Sequence, residues 1–572
     1  MSRVDIYVDV IIPVHNAAST VKETALSALH QEIPTSLSSS SSPQSPILQA
    51  FLEKYSISVT VCCYDDGSSD DSLEILREIE SSESNQNEET ATATATKSMM
   101  ISTTPLIPSR LIVQSSKDGK ARGAGYARNR AIEMNNPSLC DRECSGAAAK
   151  CSESNDDVKN GSSFKFLCLL DSDDVMHKYR IIEQVLYMFS VVDDENRNRT
   201  ILGCTFDRDP PDSTWHYSNW ANNLTDERLL LERYREITIL QPTWFMPFSV
   251  WSTVGGYIEA PPLDSNETVS DVLCKFKSSP SSSQRHCLVH PKYDTLSSLR
   301  LAEDLRFFHT HLQSNGNLRL HRTILATTSK TALPLVTYRH SLNDQSQSFR
   351  TSRKLLLQLR ALAFQQSVIR SDPLWNIGQQ HFVIWGCGRD GKDFFKALDK
   401  DLQERVYCFV DVDAKKLNAG YYVDTTSCRA TINQEMCKMN ESKSKKKQKE
   451  TARKIPIVHF SFLIQDQDER ETVQSEWISK CAAGNDLILG RIDKSKNGNT
   501  AGSSRPSPAK KKQKISSANS HTTELKDRGL DQKLLFRLPV VVCVAMYRTN
   551  GVLESNVAKI GRTEGTDLWH FS

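Results

Sequence analysis

The feature that most constrains the fold is the alternation of short apolar segments typical of strands with helical segments in the first part of the chain. Strands that alternate with helices form a mostly parallel α/β sheet. Such sheets bind ligands beyond the carboxyl ends of their strands, so the residues that follow each strand are candidates for a functional site. The predicted elements are the strands Val8–Pro13, Ile57–Cys63, Leu111–Gln114 and Phe164–Leu170 and the helices Ala18–Leu29, Ser69–Glu80 and Gly125–Asn135.

Six polar, low-complexity tracts interrupt this pattern. Hydrophobic residues make up only 38 % of the 572 residues, which fits a globular core diluted by polar insertions. The tracts bury too little apolar surface to offset the entropy of ordering, so we expect disordered or surface insertions. They lie near residues 36–46, 81–105, 141–163, 264–285, 437–454 and 491–532. Around them the chain predicts an N-terminal α/β domain over 8–345, a helical connector over 346–380 and a C-terminal Rossmann-like α/β domain over 381–572.

Charge and cysteine content exclude several classes of protein. The 71 Lys and Arg balance the 69 Asp and Glu to a net charge of +2, which excludes a wholly basic or acidic protein. The 15 cysteines have no repeated spacing and indicate reduced thiols rather than a disulfide scaffold. No apolar run approaches the ~18 residues of a transmembrane helix, and we recognise no secretory signal. We therefore expect a cytoplasmic protein without membrane association, and the KKKQK cluster at 510–514 resembles a nuclear-import patch.

Three polar turns follow the predicted strands, at residues 13–16, 65–70 and 171–174. A single Asp-rich turn is usually only a turn, because Asp accepts hydrogen bonds from neighbouring N–H groups. Three such turns at one edge of a sheet indicate a site. Asp171 and Asp173 are two residues apart, so in extended backbone their carboxylates point the same way. Such a pair can hold Mg²⁺ or Mn²⁺, whose other ligands are commonly waters and substrate phosphates.

The motifs PVHN, DDGSSDD, GAGYARNRAI, LLDSDD and AEDL together resemble the family 2 glycosyltransferases of the GT-A fold. The resemblance implies a nucleotide-diphospho-sugar transferase domain with a Rossmann-like sheet and a UDP-sugar donor. The resemblance also implies that Asp65 binds uracil and that Asp171 and Asp173 bind Mn²⁺ or Mg²⁺, with Asp173 as the stronger ligand. The implied donor-binding residues are Pro13, His15, Asn16, Asp65, Asp66, Gly123, Arg128, Asn129 and Asp171.

Asp304, with Glu303 beside it, lies in the first turn of a predicted amphipathic helix over Leu301–Leu312. A carboxylate at this position can simply be stabilised by the helix N-terminus. The resemblance implies instead that Asp304 is the catalytic base of a single displacement that inverts the anomeric configuration. General-base assistance of this kind contributes roughly 10²–10⁴-fold to a rate.

Four further segments, DPPDSTWHYSNW, QPTWFMP, WGCGRDGKDF and the terminal DLWHFS, resemble a narrower family. These are the queuosine-tRNA galactosyltransferases, formerly described as β-1,3-N-acetylglucosaminyltransferase-like proteins. The resemblance implies transfer of galactose from UDP-galactose to queuosine in a tRNA. The older description implies UDP-N-acetylglucosamine and a galactoside acceptor, and nothing in the donor motifs separates the two sugars.

Three tryptophans and one histidine are candidates for acceptor contact. Trp215, Trp220 and Trp244 could stack on a sugar or a base, and His340 could contact the cation or the diphosphate. We favour Trp244 among the tryptophans. Core packing is the alternative for each tryptophan, because Trp is highly buried on average, and a structural role is the alternative for the histidine.

The C-terminal part carries a second nucleotide-binding pattern. The strand His381–Cys387 is followed by G-x-G-x-x-G, made of Gly386, Gly388 and Gly391, and a second strand ends at Asp411. This spacing is typical of dinucleotide-binding units. The alternative is a Rossmann-like domain whose glycines serve tight packing.

Two other classes of function stay open. The first is a non-catalytic module that binds a nucleotide sugar or tRNA. The presence of all four acids, Asp65, Asp171, Asp173 and Asp304, argues against this class. The second is an NAD-dependent oxidoreductase, which ranks last because we see no Tyr-Lys or Ser-His arrangement after the glycine motif.

Overall fold

The computed structural model describes fourteen stretches of the chain and two compact units, Met1–Ala363 and Phe364–Ser572. The domain limits at 345 and 380 stay predictions. No helix in the described stretches is long and apolar enough to cross a membrane. The described residues are 3–34, 46–92, 105–136, 163–261, 266–277, 288–290, 293–325, 333–340, 350–376, 380–424, 452–493, 525–545, 549 and 551–571.

The first unit contains a seven-stranded and a three-stranded sheet. Its strands are β1 (Val4–Val14), β2 (Tyr55–Asp65), β3 (Ser109–Ser115), β4 (Phe164–Leu169), β5 (Val175–Met176), β6 (Thr200–Gly203), β7 (Phe206–Asp209), β8 (Phe245–Pro247), β9 (Asn317–Leu320) and β10 (Val336–Arg339). The large sheet has the order β3-β2-β1-β4-β8-β6-β9, and the small one has the order β5-β10-β7. In the large sheet only β8 runs antiparallel to its neighbours.

Helices of the first unit cover the sheets. They are α1 (Val21–Leu29), α2 (Pro46–Lys54), α3 (Ser72–Thr92), α4 (Ala124–Met134), α5 (Arg180–Ser190), α6 (Asp194–Arg197), α7 (Trp215–Asn223), α8 (Asp226–Leu231), α9 (Phe248–Val254), α10 (Val269–Lys277) and α11 (Glu303–Gln313). Short 3₁₀ turns span Gln241–Thr243 and Ser298–Arg300, and the helix Arg353–Phe364 ends at the first residue of the second unit.

The central strands are apolar because both faces of the sheet are covered. In β1 every residue from Val8 to Val14 is buried, which includes Asp9. Such continuous apolar runs are typical of parallel strands buried on both faces. The predicted α/β fold class is thus confirmed for this unit.

The second unit is built on one six-stranded sheet. Its strands are β11 (Phe382–Trp385), β12 (Val406–Asp411), β13 (Tyr421–Asp424), β14 (Arg453–His459), β15 (Val540–Val542) and β16 (Leu568–His570), in the order β13-β14-β12-β11-β15-β16. Only β13 is antiparallel to its neighbour, so the predicted α/β class is confirmed here too. The helical segments are Gln365–Ile369, Pro373–Asn376, Arg389–Ala397, Lys400–Glu404, Ala414–Ala419, Phe460–Leu463, Gln467–Asp493, Gln532–Leu535 and Val552–Ala558.

Parts of three predicted insertions are regular structure. Helix α3 continues to Thr92, and α10 lies inside the predicted insertion near 264–285, with Val272 buried. Leu525 and Leu530 are buried in the core of the second unit. Composition was misleading at these places because Glu, Gln and Ala favour helices even in a polar tract, and a few apolar residues suffice to anchor a segment. The predicted insertion at 141–163 lies almost wholly outside the described residues.

Candidate active site

The carboxyl ends of β1, β2 and β4 meet at one edge of the large sheet. Val14, the last residue of β1, pairs with Asp65, the last residue of β2. Ile11 of β1 pairs with Leu169, the last residue of β4. Because the three strands are parallel, the three polar turns that follow them lie at the same edge, where α/β sheets bind ligands.

Hydrogen bonds tie the first turn to the second. His15 Nδ1 lies 3.0 Å from the carbonyl oxygen of Asp66, and the backbone N–H of Asn16 donates to Ser68 Oγ at 2.9 Å. Asn16 has a φ of 53°, in the left-handed region that Asn tolerates better than most residues. His15 and Asn16 are exposed beside the second turn, whereas Pro13 is buried within β1.

Asp65 and Asp66 are both buried but differ in what they bind. Asp66 accepts the backbone N–H of Arg122 at 2.8 Å and that of Gly123 at 2.6 Å. Burial raises the pKa of Asp66, although these bonds oppose the shift. Asp65 Oδ2 lies 3.3 Å from the backbone nitrogen of Ser68, but its buried Oδ1 has no partner among the described residues. Asp66 therefore holds the loop before α4, whereas Asp65 has one acceptor oxygen that no described residue satisfies.

The turn after β4 presents the predicted cation-binding pair. Thr20 and Thr24 of α1 both donate their hydroxyls to the carbonyl oxygen of Ser172, each at 3.0 Å, which fixes this peptide. Burial and the charge of Asp171 raise the pKa of Asp173 to about 6. The charge of Asp171 thus acts on Asp173, and two neighbouring carboxylates of this kind can share a cation.

Asp174 and Arg339 complete the turn, and the sequence reasoning assigned neither. Asp174 is fully buried; its Oδ1 accepts the backbone N–H of Arg339 at 2.9 Å, and its Oδ2 has no partner in the described part of the chain. The Arg339 side chain donates to the carbonyl oxygen of Asp173 at 3.3 Å and to Glu23 at 2.6 Å. Asp174 is the last residue of the motif LLDSDD and Arg339 directly precedes the candidate His340, so both positions were next to residues that the sequence had singled out.

Arg128 joins the cation-binding turn to the first turn of α11. Its Nη2 donates to Asp171 Oδ1 at 2.6 Å, and its Nη1 donates to Glu303 Oε1 at 2.7 Å. The side chain is only 4 % exposed, and the guanidinium lies 5.7 Å from the centre of the Tyr257 ring. Burial would lower the pKa of Arg128, but the charges of Asp171 and Glu303 outweigh it and hold that pKa above its ordinary value.

Asp304 lies directly after Glu303, where the chain turns sharply into α11. Ala302, which precedes the helix, has a φ of 54°, an unfavourable value for a residue with a Cβ. Asp304 Oδ1 accepts the backbone N–H of Leu305 at 2.7 Å. Burial and the charge of Glu303 raise the pKa of Asp304 to about 7. A carboxylate whose pKa lies near neutrality is well suited to accept a proton in a reaction.

Gly123 and Asn129 serve α4 in different ways. Gly123 precedes α4 with a φ of 104°, and its N–H is the one that Asp66 binds. The amide of Asn129 donates to the carbonyl oxygen of Tyr257 at 2.9 Å and to Glu259 at 2.7 Å, and it accepts the N–H of Tyr257. These bonds hold the amide of Asn129 against the segment after α9. The amide makes no hydrogen bond to Asp171, Asp173 or Asp304.

The predicted acceptor residues differ in exposure and in their hydrogen-bond partners. Trp244 is fully buried, and its indole N–H donates to the carbonyl oxygen of Ile239, which corresponds to the core-packing alternative and leaves no surface for an acceptor. Trp220 is partly exposed and donates to Glu232 at 2.6 Å. Trp215 is 55 % exposed. His340 is partly exposed, and its backbone N–H donates to the carbonyl oxygen of Asp209.

The G-x-G-x-x-G turn of the second unit leads from β11 into the helix Arg389–Ala397. Gly386 has a φ of 104°, and a Cβ there would lie 2.6 Å from Val544; at Gly391 it would lie 1.9 Å from the carbonyl oxygen of Gly386. The fold therefore requires both glycines. Asp411, at the end of β12, accepts the backbone N–H of Cys387 at 2.7 Å, so it holds this turn.

A divalent cation fits the pair Asp171 and Asp173. The described residues contain no group of three or more His, Cys, Asp or Glu side chains arranged around one ion. Mg²⁺ and similar cations need only one or two protein carboxylates when water and substrate phosphates complete the shell. The two acids supply that number, and burial together with the neighbouring charge of Asp171 raises the pKa of Asp173, an effect that a bound cation would oppose.

Comparison with known proteins gives remote structural likeness only. No protein-family model matches the chain. It is similar to S. aureus TarS 1-349 in complex with UDP-GlcNAc at 12 % identity and a TM-score of 0.33, over 70 % of this chain and 84 % of that one. It is similar to the mannosyltransferase PcManGT from Pyrobaculum calidifontis, in complex with GDP-Man and Mn²⁺, at 11 % identity and a TM-score of 0.29, over 64 % and 65 %. Likeness at this level does not fix the chemistry of the site, which depends on the residues of this chain.

Proposed function

We propose that this chain is a metal-dependent, inverting glycosyltransferase that transfers galactose from UDP-galactose to queuosine in tRNA. The observation that carries the transferase proposal is the network in which Arg128 bonds Asp171 and Glu303. Through Asp171 the network reaches the pair of carboxylates suited to a cation, and through Glu303 it reaches the adjacent Asp304, whose pKa is raised. The network lies at the carboxyl edge of a mostly parallel sheet. A transferase that handles a nucleoside diphosphate sugar needs these two functions side by side.

Asp65 supports the choice of a uracil nucleotide. Its Oδ1 is buried without a partner among the described residues, and a buried acceptor of this kind is costly unless a ligand satisfies it. The N3–H of uracil is a donor that matches such a carboxylate oxygen. His15 and Asn16, exposed beside this turn, would border the same ligand.

Asp171 and Asp173 would hold Mn²⁺ or Mg²⁺ in this proposal. The cation, when bound, stabilises the negative charge that develops on the departing diphosphate. Arg128 keeps Asp171 in place through its bond at 2.6 Å. Thr20 and Thr24 hold the turn between the two acids through Ser172.

Asp304 would act as the general base. It takes the proton of an acceptor hydroxyl while that oxygen forms a bond to the anomeric carbon of the sugar. The bond from this carbon to the diphosphate oxygen breaks, and its electron pair leaves with UDP. One displacement from the opposite face inverts the anomeric configuration. Because burial and Glu303 raise the pKa of Asp304 to about 7, the base has nearly the strength that proton transfer at neutral pH requires.

The acceptor proposal rests on the sequence resemblance, and the placement of α7 supports it. This helix belongs to the segment DPPDSTWHYSNW and carries the exposed Trp215, whose ring centre lies 4.1 Å from that of His216. On the same helix, the Tyr217 hydroxyl donates to the carbonyl oxygen of Ile237 at 3.1 Å, which holds α7 against the first unit. An exposed tryptophan there could stack on a nucleobase, which contributes ~1–3 kcal/mol.

A matrix of donors and acceptors tests the proposal. Radiolabelled UDP-galactose, UDP-N-acetylglucosamine and UDP-glucose are each incubated with total tRNA and with a free galactoside, with and without Mn²⁺. We expect metal-dependent transfer of galactose to tRNA alone. Transfer of N-acetylglucosamine to the galactoside would support the older description instead. UDP-sugar binding without turnover on any acceptor would indicate a binding module.

A further inference from the structure

The second unit contains a cleft that the proposed transferase reaction does not use. It encloses about 620 Å³ at the carboxyl ends of β11, β12 and β15. In the strand order, β11 has β12 on one side and β15 on the other, and the chain reverses direction across the sheet at this point. Ligands of open α/β sheets bind in the crevice at such a reversal, and this volume suits a molecule the size of a nucleoside or larger.

Gly388 is the only glycine of its motif that the fold does not require. A Cβ at Gly388 would meet nothing closer than Lys416 Nζ at 3.9 Å, and its φ of −85° and ψ of −162° suit any residue. Gly386 and Gly391, in contrast, would clash with backbone or packed side chains. Gly388 borders the cleft, so its missing side chain leaves room for a ligand to approach the backbone.

Two unusually exposed apolar side chains also border the cleft. Val412, directly after β12, is 44 % exposed, and Val552, at the start of the last helix, is 60 % exposed. Large apolar side chains left this exposed in one concave site indicate a binding surface. Both side chains offer apolar surface to a ligand in the cleft.

The polar groups of the cleft disfavour a diphosphate. Asp390, Asp411 and Asp413 face two cations, Arg389 and Lys416. Asp411 Oδ1 accepts the N–H groups of Val412 and Asp413, and its Oδ2 accepts those of Cys387 and Lys416. Its four lone pairs are therefore occupied and the ammonium of Lys416 is engaged. Asp413 Oδ1 accepts the backbone N–H of Lys415 at 2.9 Å, and its Oδ2 lies 3.8 Å from Lys416 Nζ, but the side chain is 45 % exposed and can still accept the hydroxyls of a ribose.

We propose that this cleft binds a purine nucleoside ligand without a diphosphate group, such as adenosine. The base lies against Val412 and Val552, the sugar passes over Gly388, and the ribose hydroxyls donate to Asp413. A purine matches the cleft better than a pyrimidine because it covers more of the exposed apolar surface. This site would be separate from the donor site of the first unit, and the proposal does not depend on the transferase reaction.

Isothermal titration of the full-length protein with adenosine, uridine and NAD⁺ tests this proposal. We expect saturable binding of adenosine, weaker binding of uridine, and weaker binding of NAD⁺ because its diphosphate would meet the three carboxylates. The absence of adenosine binding up to its solubility limit would overturn the proposal. So would tighter binding of NAD⁺, which would indicate a dinucleotide site, or tighter binding of uridine.

Variants locate the ligand. Gly388→Val and Val552→Glu should each weaken adenosine binding at least about tenfold, or ~1.4 kcal/mol. Val423→Glu is the matched control, because Val423 is 38 % exposed on β13 of the same unit and does not border the cleft. Should Gly388→Val fold poorly, Val552→Glu changes a largely exposed side chain and keeps the test valid. Equal affinity in Val552→Glu and Val423→Glu would contradict the assigned site.

Discussion

Arg128 bonds Asp171 at 2.6 Å, although 43 residues separate them, and with its other terminal nitrogen it bonds Glu303. One planar group thus sets the distance between the proposed cation-binding turn and the helix that carries Asp304. Arginine suits this position because its fork of donors can bind two carboxylates at once, which the ammonium of lysine cannot do with the same geometry.

Arg128→Lys should therefore impair catalysis while keeping the charge. We expect kcat to fall about 10²-fold, the size of effect that a misplacement of about 1 Å can cause. Steady-state kinetics at saturating UDP-galactose measure this change. Arg130→Lys is the matched control: Arg130 lies on the same helix and pairs with Glu133 and Glu259. Equal kcat in the two variants would show that the Arg128 bridge does not position the reacting groups.

Asp304 predicts the pH dependence of the reaction. Its pKa is raised to about 7, so its basic form is lost as the pH falls through 7. At saturating Mn²⁺, kcat/KM should drop below this pH, and Asp304→Asn should lower kcat by ~10²–10⁴-fold above this pH, with a smaller difference at lower pH where the wild-type base is protonated. Glu303→Gln removes a charge that raises the pKa of Asp304, so the drop should move to lower pH. An unchanged profile in Glu303→Gln would argue against Asp304 as the titrating group.

Asp65 should determine the preference for uracil. Asp65→Asn replaces one carboxylate oxygen by a donor, and the affinity for UDP should fall about tenfold or more, since a hydrogen bond to a charged group contributes about 1.5–3 kcal/mol. Binding titrations with UDP and ADP measure the loss of discrimination. Asp71 is an exposed acid directly after this turn, and Asp71→Asn should bind UDP like the wild type. A loss of equal size in both variants would indicate a general charge effect.

Substitution of Trp244 should affect the stability of the fold, whereas substitution of Trp215 should affect acceptor binding. Trp244 is fully buried, so Trp244→Ala should lower the free energy of unfolding by about 3–5 kcal/mol. Trp215 is 55 % exposed, so Trp215→Ala should leave the melting temperature unchanged and raise KM for tRNA. Thermal melting and acceptor titrations distinguish the two. If Trp215→Ala leaves KM for tRNA unchanged, the acceptor does not stack on α7.

The strands and their terminal acids could be predicted from sequence because they are local patterns. A short, mostly apolar run followed by Asp predicts both the strand and the position of the acid, as with Phe164–Leu169 and Asp171. The Arg128 bridge could not be predicted this way, since its partners come from separate elements and sequence spacing gives no distance between them. The environment of Trp244 is equally non-local, because its burial depends on packing that its own neighbours in sequence do not reveal.

The helices inside predicted insertions show a different limit. Composition indicates whether a segment can form a core of its own, not whether it extends a neighbouring helix or packs on an existing core. Residues of the insertion near 81–105 extend the neighbouring helix α3 to Thr92. Leu525 and Leu530, in the insertion near 491–532, pack on the existing core of the second unit. Polar tracts next to ordered elements therefore need to be judged together with those elements.

Mass spectrometry of tRNA nucleosides tests the central claim most directly. A tRNA carrying queuosine is incubated with the protein, UDP-galactose and Mn²⁺, digested to nucleosides and analysed, with the same tRNA carrying guanosine at that position as the control. We expect queuosine to gain the mass of one hexose with the wild-type protein, and neither Asp304→Asn nor the control tRNA to give appreciable product. Queuosine that stays unmodified while a free galactoside is glycosylated would contradict the proposed acceptor.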